Sequence, residues 1–169
     1  IGRHVIFANL MQTDAYGIEL TQKAVQVAWK WAKEENMTDA EKKIVQGTIT
    51  QMPFENNFFD FVVSHGVLDS MDLPIISAGI KETARVMRPG GYFYCDLIGQ
   101  DNHHPENFHG AEIVKDDHEK GTIQFYYTEE FIKNIFGDDF EIVEMTLIKR
   151  QNQLTHAFSS RYHVIFKKK

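Results

Sequence analysis

Apolar residues along this chain switch between a helical period and short continuous runs, and the switches fall where capping and turn residues stand. Arg3 to Leu10 carries the helical period, and Asp14 to Leu20 reads as a short buried strand with an acidic residue near its end. Thr21 then supplies a hydroxyl to cap a helix running to about Asn36, on which Ala24, Ala28, Trp31 and Ala32 recur at helical spacing. Val25 and Trp29 widen that stripe, so the face is expected to pack on a sheet. Lys43 to Gly47 is the next strand candidate. Phe59 to His65 is a stronger one, dominated by β-branched and aromatic residues. Asp72 or Leu73 opens another helix with Pro74 in its first turn and Ile76, Ile80, Ala84 and Met87 on one face. Pro89-Gly90-Gly91 is expected to stop it, and Gly91 to Ile98 reads as a strand. Thr128 caps a helix to about Phe136, Gly137-Asp138-Asp139 turns the chain, and Phe140 to Lys149 and Tyr162 to Lys167 form two last strands.

Strands and helices alternate through the first two thirds, the pattern of parallel βαβ units with helices on both faces of a sheet. The chain closes differently, on two consecutive strands that predict an antiparallel hairpin at a sheet edge. Between these parts, residues 99–124 are polar, rich in His, Asp and Asn and weakly periodic, and read as an insertion or lid. The length of 169 residues predicts one domain. No apolar run approaches the roughly 20 residues that a spanning helix requires, and the start lacks a secretory pattern, so a cytoplasmic protein without a membrane partner is expected. The single cysteine, Cys95, lies in an apolar run and is expected to be buried and inert. A formal charge of −6 argues against nucleic acid as a partner, since phosphate binding rests on clustered Lys and Arg. The chain opens on Ile1 without a methionine, and a preceding strand is expected in the intact polypeptide.

Ligands of open α/β sheets bind beyond the carboxyl ends of strands, which directs attention to those ends. Glu19 ends an apolar strand immediately before a capped helix, and a carboxylate accepts bonds from two adjacent hydroxyls, as a ribose offers. The alternative is a solvated strand end, or a dipole partner for the following helix. Gly47 ends the next strand, where a flat ring can approach the backbone, and Thr48 with the Ile49 amide can bond an adenine edge; an ordinary loop is the alternative. Ser64-His65-Gly66-Val67 ends the strongest strand, close to where a reacting group would sit.

With these pieces in order, the chain resembles the class I S-adenosylmethionine-dependent methyltransferases, and it is closest to small-molecule enzymes of the ubiquinone-biosynthesis and tellurite-resistance types. The matches are Gly2 as last glycine of the cofactor loop, Glu19, Met52-Pro53-Phe54 with Phe59-Asp60, and Met87-Arg88-Pro89-Gly90-Gly91. The resemblance implies a Rossmann-like, doubly wound, mostly parallel sheet with a C-terminal antiparallel hairpin and its first strand missing. It implies S-adenosylmethionine as cofactor and a small-molecule acceptor. Gly2 then lies near the methionine moiety, Glu19 on the ribose hydroxyls, Leu20 against an adenine face, Thr48 and Ile49 at the adenine edge, and His65 and Gly66 beside the methionine end. One departure is Thr48, where the family usually carries an aspartate.

Methyl transfer from a sulfonium needs no protein nucleophile, so the lack of a Ser-His-Asp set is no obstacle. His65 is the candidate base for a hydroxyl acceptor, with a cofactor-lining or simply structural histidine as the alternative. His103, His104 and His109 beside Asp101 and Glu106 fit no standard metal spacing, and a polar lid that covers the acceptor is expected there rather than a metal site. His103 and Tyr127 are the acceptor-lining candidates, packing being the alternative for Tyr127. Two other classes stay open: a nicotinamide-dependent oxidoreductase, which also places an acid at the end of its second strand, and a non-catalytic subunit that keeps the fold as a partner-binding module. Oligomeric state leaves no trace in these residues.

Overall fold

The computed structural model describes residues 2–99, 108–115 and 120–169. The chain divides into two compact units, Ile1–Phe54 and Glu55–Lys169. In the first, the elements are α1 (Arg3–Leu10), β1 (Gly17–Glu19), α2 (Gln22–Glu34), α3 (Ala40–Lys43) and β2 (Ile44–Gln46). Gly2 precedes α1 in the left-handed region at φ 66°, and a Cβ there would stand 2.8 Å from Ala28 Cβ, so glycine is demanded by both conformation and space. Thr21 caps α2 as its position predicts, its hydroxyl accepting from the Ala24 amide at 3.2 Å. The apolar stripe of α2 buries Ala28 and Ala32 against Ile6, Met37, Ala40 and Ile44. Trp29 packs against this core and donates its indole N–H to the Ile44 carbonyl at 2.8 Å, whereas Trp31 stays exposed.

β1 and β2 pair in parallel, with Gly17 opposite Ile44 and Glu19 opposite Gln46. β1 is shorter than the apolar run suggests. The Ala15 carbonyl is taken instead by the Asn9 side chain at 2.8 Å, which also bonds Val5 in α1, so the approach to the strand is fastened to the helix rather than to a ladder. Lys43 pairs with Asp14 at 2.9 Å and Asp39 at 3.3 Å, and the bond from Asp14 chiefly raises its pKa.

The second unit holds β3 (Phe59–Ser64), α4 (Leu73–Val86), β4 (Met87–Ile98), β5 (Gly110–Ile113), β6 (Ile123–Tyr126), α5 (Glu129–Phe136), β7 (Phe140–Gln151) and β8 (Phe158–Lys168). Its main sheet runs β3-β4-β8-β7, parallel between β3 and β4 and antiparallel across β8. The C-terminal hairpin is present, though with longer strands and a shorter loop than expected, and it makes this four-stranded sheet mixed. β5 and β6 form an antiparallel pair inside the polar stretch read as a lid. Asp72 and Thr128 cap α4 and α5 through their side chains, each at 3.2 Å. Phe93, Phe136, Phe140 and Phe166 fill the core, with Phe136 and Phe166 stacked at 4.4 Å.

Pro89-Gly90-Gly91 does not stop α4, which ends at Val86. Strand pairing begins at once, with Met87 opposite Phe59, and Arg88 to Gly91 then bulge before Tyr92 resumes opposite Phe61. A Cβ on Gly91 would lie 2.8 Å from the Asp60 carbonyl oxygen, and Arg88 clamps the Asp60 carboxylate at 2.7 Å. The Pro-Gly-Gly and Phe-Asp motifs are thus two sides of one bulge.

Among the described residues β1 pairs only with β2 and β3 only with β4, so each keeps one unpaired edge, and no described strand precedes α1. No described helix is long and apolar enough to cross a membrane.

Candidate functional site

In the first unit the chain-terminal end of β1 presents Glu19, whose Oε1 accepts the Gly2 amide at 3.1 Å. One bond leaves lone pairs on both carboxylate oxygens for further donors. The Glu19 carbonyl takes the Gly47 amide at 3.1 Å, and the Gln46 side chain donates to the Leu20 carbonyl at 3.2 Å, so the ends of β1 and β2 are tied together. Leu20 follows with its side chain largely exposed, at 68%. Gly47 has a different reason from the one its position suggested: a Cβ would meet the Pro53 ring at 2.9 Å and Ile18 at 3.2 Å, so the space above it is already filled. Thr48 shares a 3.1 Å hydroxyl contact with Thr50 and accepts the Gln51 amide at 3.2 Å within a tight turn, and Ile49 is half-buried.

In the second unit the end of β3 leads into a loop that is held from several sides. Asp96, in the middle of β4 and 1% exposed, accepts the Gly66 amide at 2.7 Å through Oδ1. Its Oδ2 takes His65 Nδ1 at 3.0 Å and Arg161 Nη1 at 2.8 Å. The same guanidinium nitrogen reaches Asp69 Oδ2 at 2.8 Å, and Asp69 is 3% exposed. Burial chiefly pushes the Asp69 carboxyl above its ordinary value, with Asp96 adding to the rise and Arg161 opposing it. Gly66 lies in the left-handed region at φ 64° with nothing within 4 Å of where a Cβ would be.

Tyr127 is wholly buried and donates its hydroxyl to the Leu68 carbonyl at 2.8 Å, so it supports the β3–α4 loop from within, the packing role given as the alternative to lining an acceptor pocket. His103, with His104, Asp101 and Glu106, lies outside the described residues; His109 stacks on Phe131 at 4.4 Å. Cys95 is buried and its thiol is pushed well up by that burial, as its apolar run implied. Asp96, Asp69 and Arg161 escaped the sequence reading. The available signal was Asp96 itself, an ionisable residue inside the run Tyr92-Phe93-Tyr94-Cys95-Asp96-Leu97-Ile98.

An acidic strand end before a capped helix in the first unit, and in the second a glycine-turned loop joining a strand to the helix that leads to its parallel partner, are features of an α/β protein of Rossmann-like architecture. Solved structures share this fold: an S-adenosylmethionine-dependent methyltransferase of Methanosarcina mazei superimposes with a TM-score of 0.70 at 22% identity, covering 90% of this chain and 81% of that one. The 1,6-didemethyltoxoflavin-N1-methyltransferase of Burkholderia thailandensis, crystallised with 1,6-didemethyltoxoflavin and S-adenosylhomocysteine, gives 0.70 at 12% identity over 99% of this chain and 66% of that one. By sequence, an uncharacterized methyltransferase of Schizosaccharomyces pombe is 33% identical over 86 residues, 48% of this chain and 30% of that protein. The match thus spans about a third of that relative's length.

The methyltransferase-domain family matches residues 2–95, more than half of the chain, and the chain belongs to that family. Membership sets the nicotinamide-dependent reading aside.

Proposed function

We propose that the protein transfers a methyl group from S-adenosylmethionine to a small-molecule acceptor. The observation that carries this reading is Glu19: a half-buried carboxylate, fixed at a strand end by the Gly2 amide, with acceptor capacity left for a pair of ribose hydroxyls. The open space over Gly66 and its left-handed turn suit close approach of a ligand to backbone. Gly2, Glu19, Leu20, Thr48 and Ile49 in the first unit, and His65 and Gly66 in the second, are each proposed as cofactor-binding in the roles the family resemblance gives them. The Burkholderia relative's bound S-adenosylhomocysteine and bound acceptor support both the cofactor and the size class of the substrate. Residues 99–124, with His103, are proposed as the lid over the acceptor.

The cofactor supplies the electrophilic methyl and its leaving group, so the protein's share is to bind, exclude water and align. Glu19 binds and orients the ribose. Thr48 replaces the usual aspartate with a hydroxyl already engaged in its own turn, so adenine recognition falls to the Ile49 amide and the exposed Leu20 side chain.

Calorimetric titration of the full-length protein with S-adenosylmethionine tests the reading. A hydrogen bond to a charged group is worth about 1.5–3 kcal/mol, so Glu19→Ala is expected to lower affinity on the order of tenfold or more. Unchanged affinity overturns the ribose assignment.

A further inference from the structure

We propose that His65 and Asp96 are a general-base pair for an acceptor whose attacking atom is a hydroxyl oxygen, with Arg161 and Asp69 as positioning residues. The proposal rests on the methyl-transfer reading above and adds to it the chemistry of the acceptor.

The geometry is that of a base and its orienter. His65 Nδ1 lies 3.0 Å from Asp96 Oδ2, and an ionised carboxylate can only accept, so the ring proton belongs on Nδ1 and the basic lone pair on Nε2. Asp96 is itself immobilised: it is buried in β4, its Oδ1 is taken by the Gly66 amide at 2.7 Å, and its Oδ2 also accepts Arg161 at 2.8 Å. The His65 side chain remains 43% accessible, as a group that exchanges a proton with substrate must. Among the described residues the titratable and charged groups around the pair include Asp69 and Arg161, Tyr94 and Cys95 on β4, and His163 opposite Asp96 on β8, whose Nδ1 lies 2.7 Å from the Tyr94 hydroxyl; burial raises the pKa of Tyr94 and Cys95, which keeps those two neutral.

Charge points the same way. Two buried carboxylates share a single guanidinium, which leaves one negative charge in excess when both are ionised. A proton arriving on His65 makes an imidazolium facing Asp96 and balances that excess in the formal charge count. A hydroxyl needs such help because the neutral oxygen is a weak nucleophile, whereas a neutral amine attacks with its own lone pair. In the step, the oxygen–methyl bond forms, the sulfur–methyl bond breaks with its electron pair remaining on sulfur, and the hydroxyl proton passes to Nε2.

Two measurements on the full-length protein test this. The first needs no acceptor: nitrogen-15 NMR of the histidines, with His65 assigned by its loss in His65→Gln. The expected result is a neutral ring protonated at Nδ1 that loses this preference in Asp96→Asn; a ring protonated at Nε2, or one indifferent to Asp96→Asn, overturns the pair. The second follows S-adenosylhomocysteine release over a panel of phenols of graded acidity, with anilines and thiophenols for comparison. At saturating S-adenosylmethionine, phenols protonated at the assay pH are expected to lose about a hundredfold or more in kcat in His65→Gln, with KM for the phenol little changed, while phenols already ionised lose far less. An equal loss across all acidities overturns the base role, and turnover confined to anilines or thiophenols overturns the hydroxyl class. Calorimetry of the unaltered protein separates the two levels: failure to bind S-adenosylmethionine sinks the proposed function, while the NMR result still decides the His65–Asp96 pair.

Discussion

Arg161 bridges two buried carboxylates, Asp69 and Asp96, and Arg161→Met tests what it holds. Methionine keeps most of the aliphatic volume and removes the charge. Both contacts are 2.8 Å, and Asp69 and Asp96 are 3% and 1% exposed, so neither acid can turn to solvent for replacement. Removing one partner of a buried pair costs about 3–5 kcal/mol, but a guanidinium that is 35% accessible is partly screened, which brings the expectation to roughly 2–3 kcal/mol. The sign of the pH dependence follows from Asp69. Its carboxyl is raised above the ordinary value in the folded protein, so the fold binds more protons than the unfolded chain in the window between the two values, and stability falls as pH rises through it. Losing Arg161 removes the positive charge that opposes this rise and widens the window upward. The deficit of Arg161→Met is therefore smallest below the ordinary carboxyl range and complete near neutrality. Urea denaturation at pH values across that range is the assay. Trp29 and Trp31 both lie in Ile1–Phe54, so their fluorescence follows the first unit, and circular dichroism of the second unit's sheet and tyrosines is the signal to read. Equal midpoints for both proteins, or a deficit that grows on acidification, refutes the reasoning.

Gly91→Ala places a Cβ 2.8 Å from the Asp60 carbonyl, a backbone atom that cannot rotate away, and is expected to destabilise by about 1–3 kcal/mol in the same urea experiment; a cost near zero means the bulge is soft. Cys95, the single cysteine, is wholly buried with its thiol raised by burial, so an aromatic disulfide reagent is expected to label it only at the rate the second unit opens, and labelling at free-thiol speed contradicts the packing.

What the sequence made legible was local chemistry. Thr21, Asp72 and Thr128 announce three helix starts because a cap is a bond over three residues, and each forms as expected. Glu19 is legible for a similar reason, lying where an apolar run meets a capped helix. The misreadings came from partners distant in sequence. Pro-Gly-Gly looks like a helix stop until Asp60 of the neighbouring strand is known to press on Gly91. β1 is shortened by Asn9, whose side chain competes for the strand's approach. Gly47 suggested room for a ring, and Pro53 fills it. The carboxylate network was least legible of all, since it joins residues 65, 69, 96 and 161 through contacts that no periodicity encodes.

That network is poorly explained by stability alone. Apolar residues of similar volume commonly replace a buried ion pair without loss, and here the acids outnumber the cation. What carboxylates supply and leucines cannot is aim. Asp96 fixes both the Gly66 amide and the His65 ring; Asp69 holds Arg161 against Asp96 while its own carbonyl takes the Phe125 amide at 2.8 Å; and Tyr127 fastens the Leu68 carbonyl from below. All these bonds converge on residues 65–69, the segment between β3 and the cap of α4. Within that segment Gly66 takes the left-handed conformation at φ 64°, with nothing within 4 Å of where a Cβ would be. What the buried acids hold is therefore the conformation of an exposed loop at a strand end, the place where open α/β sheets take their ligands, and this is the role the proposed site gives them.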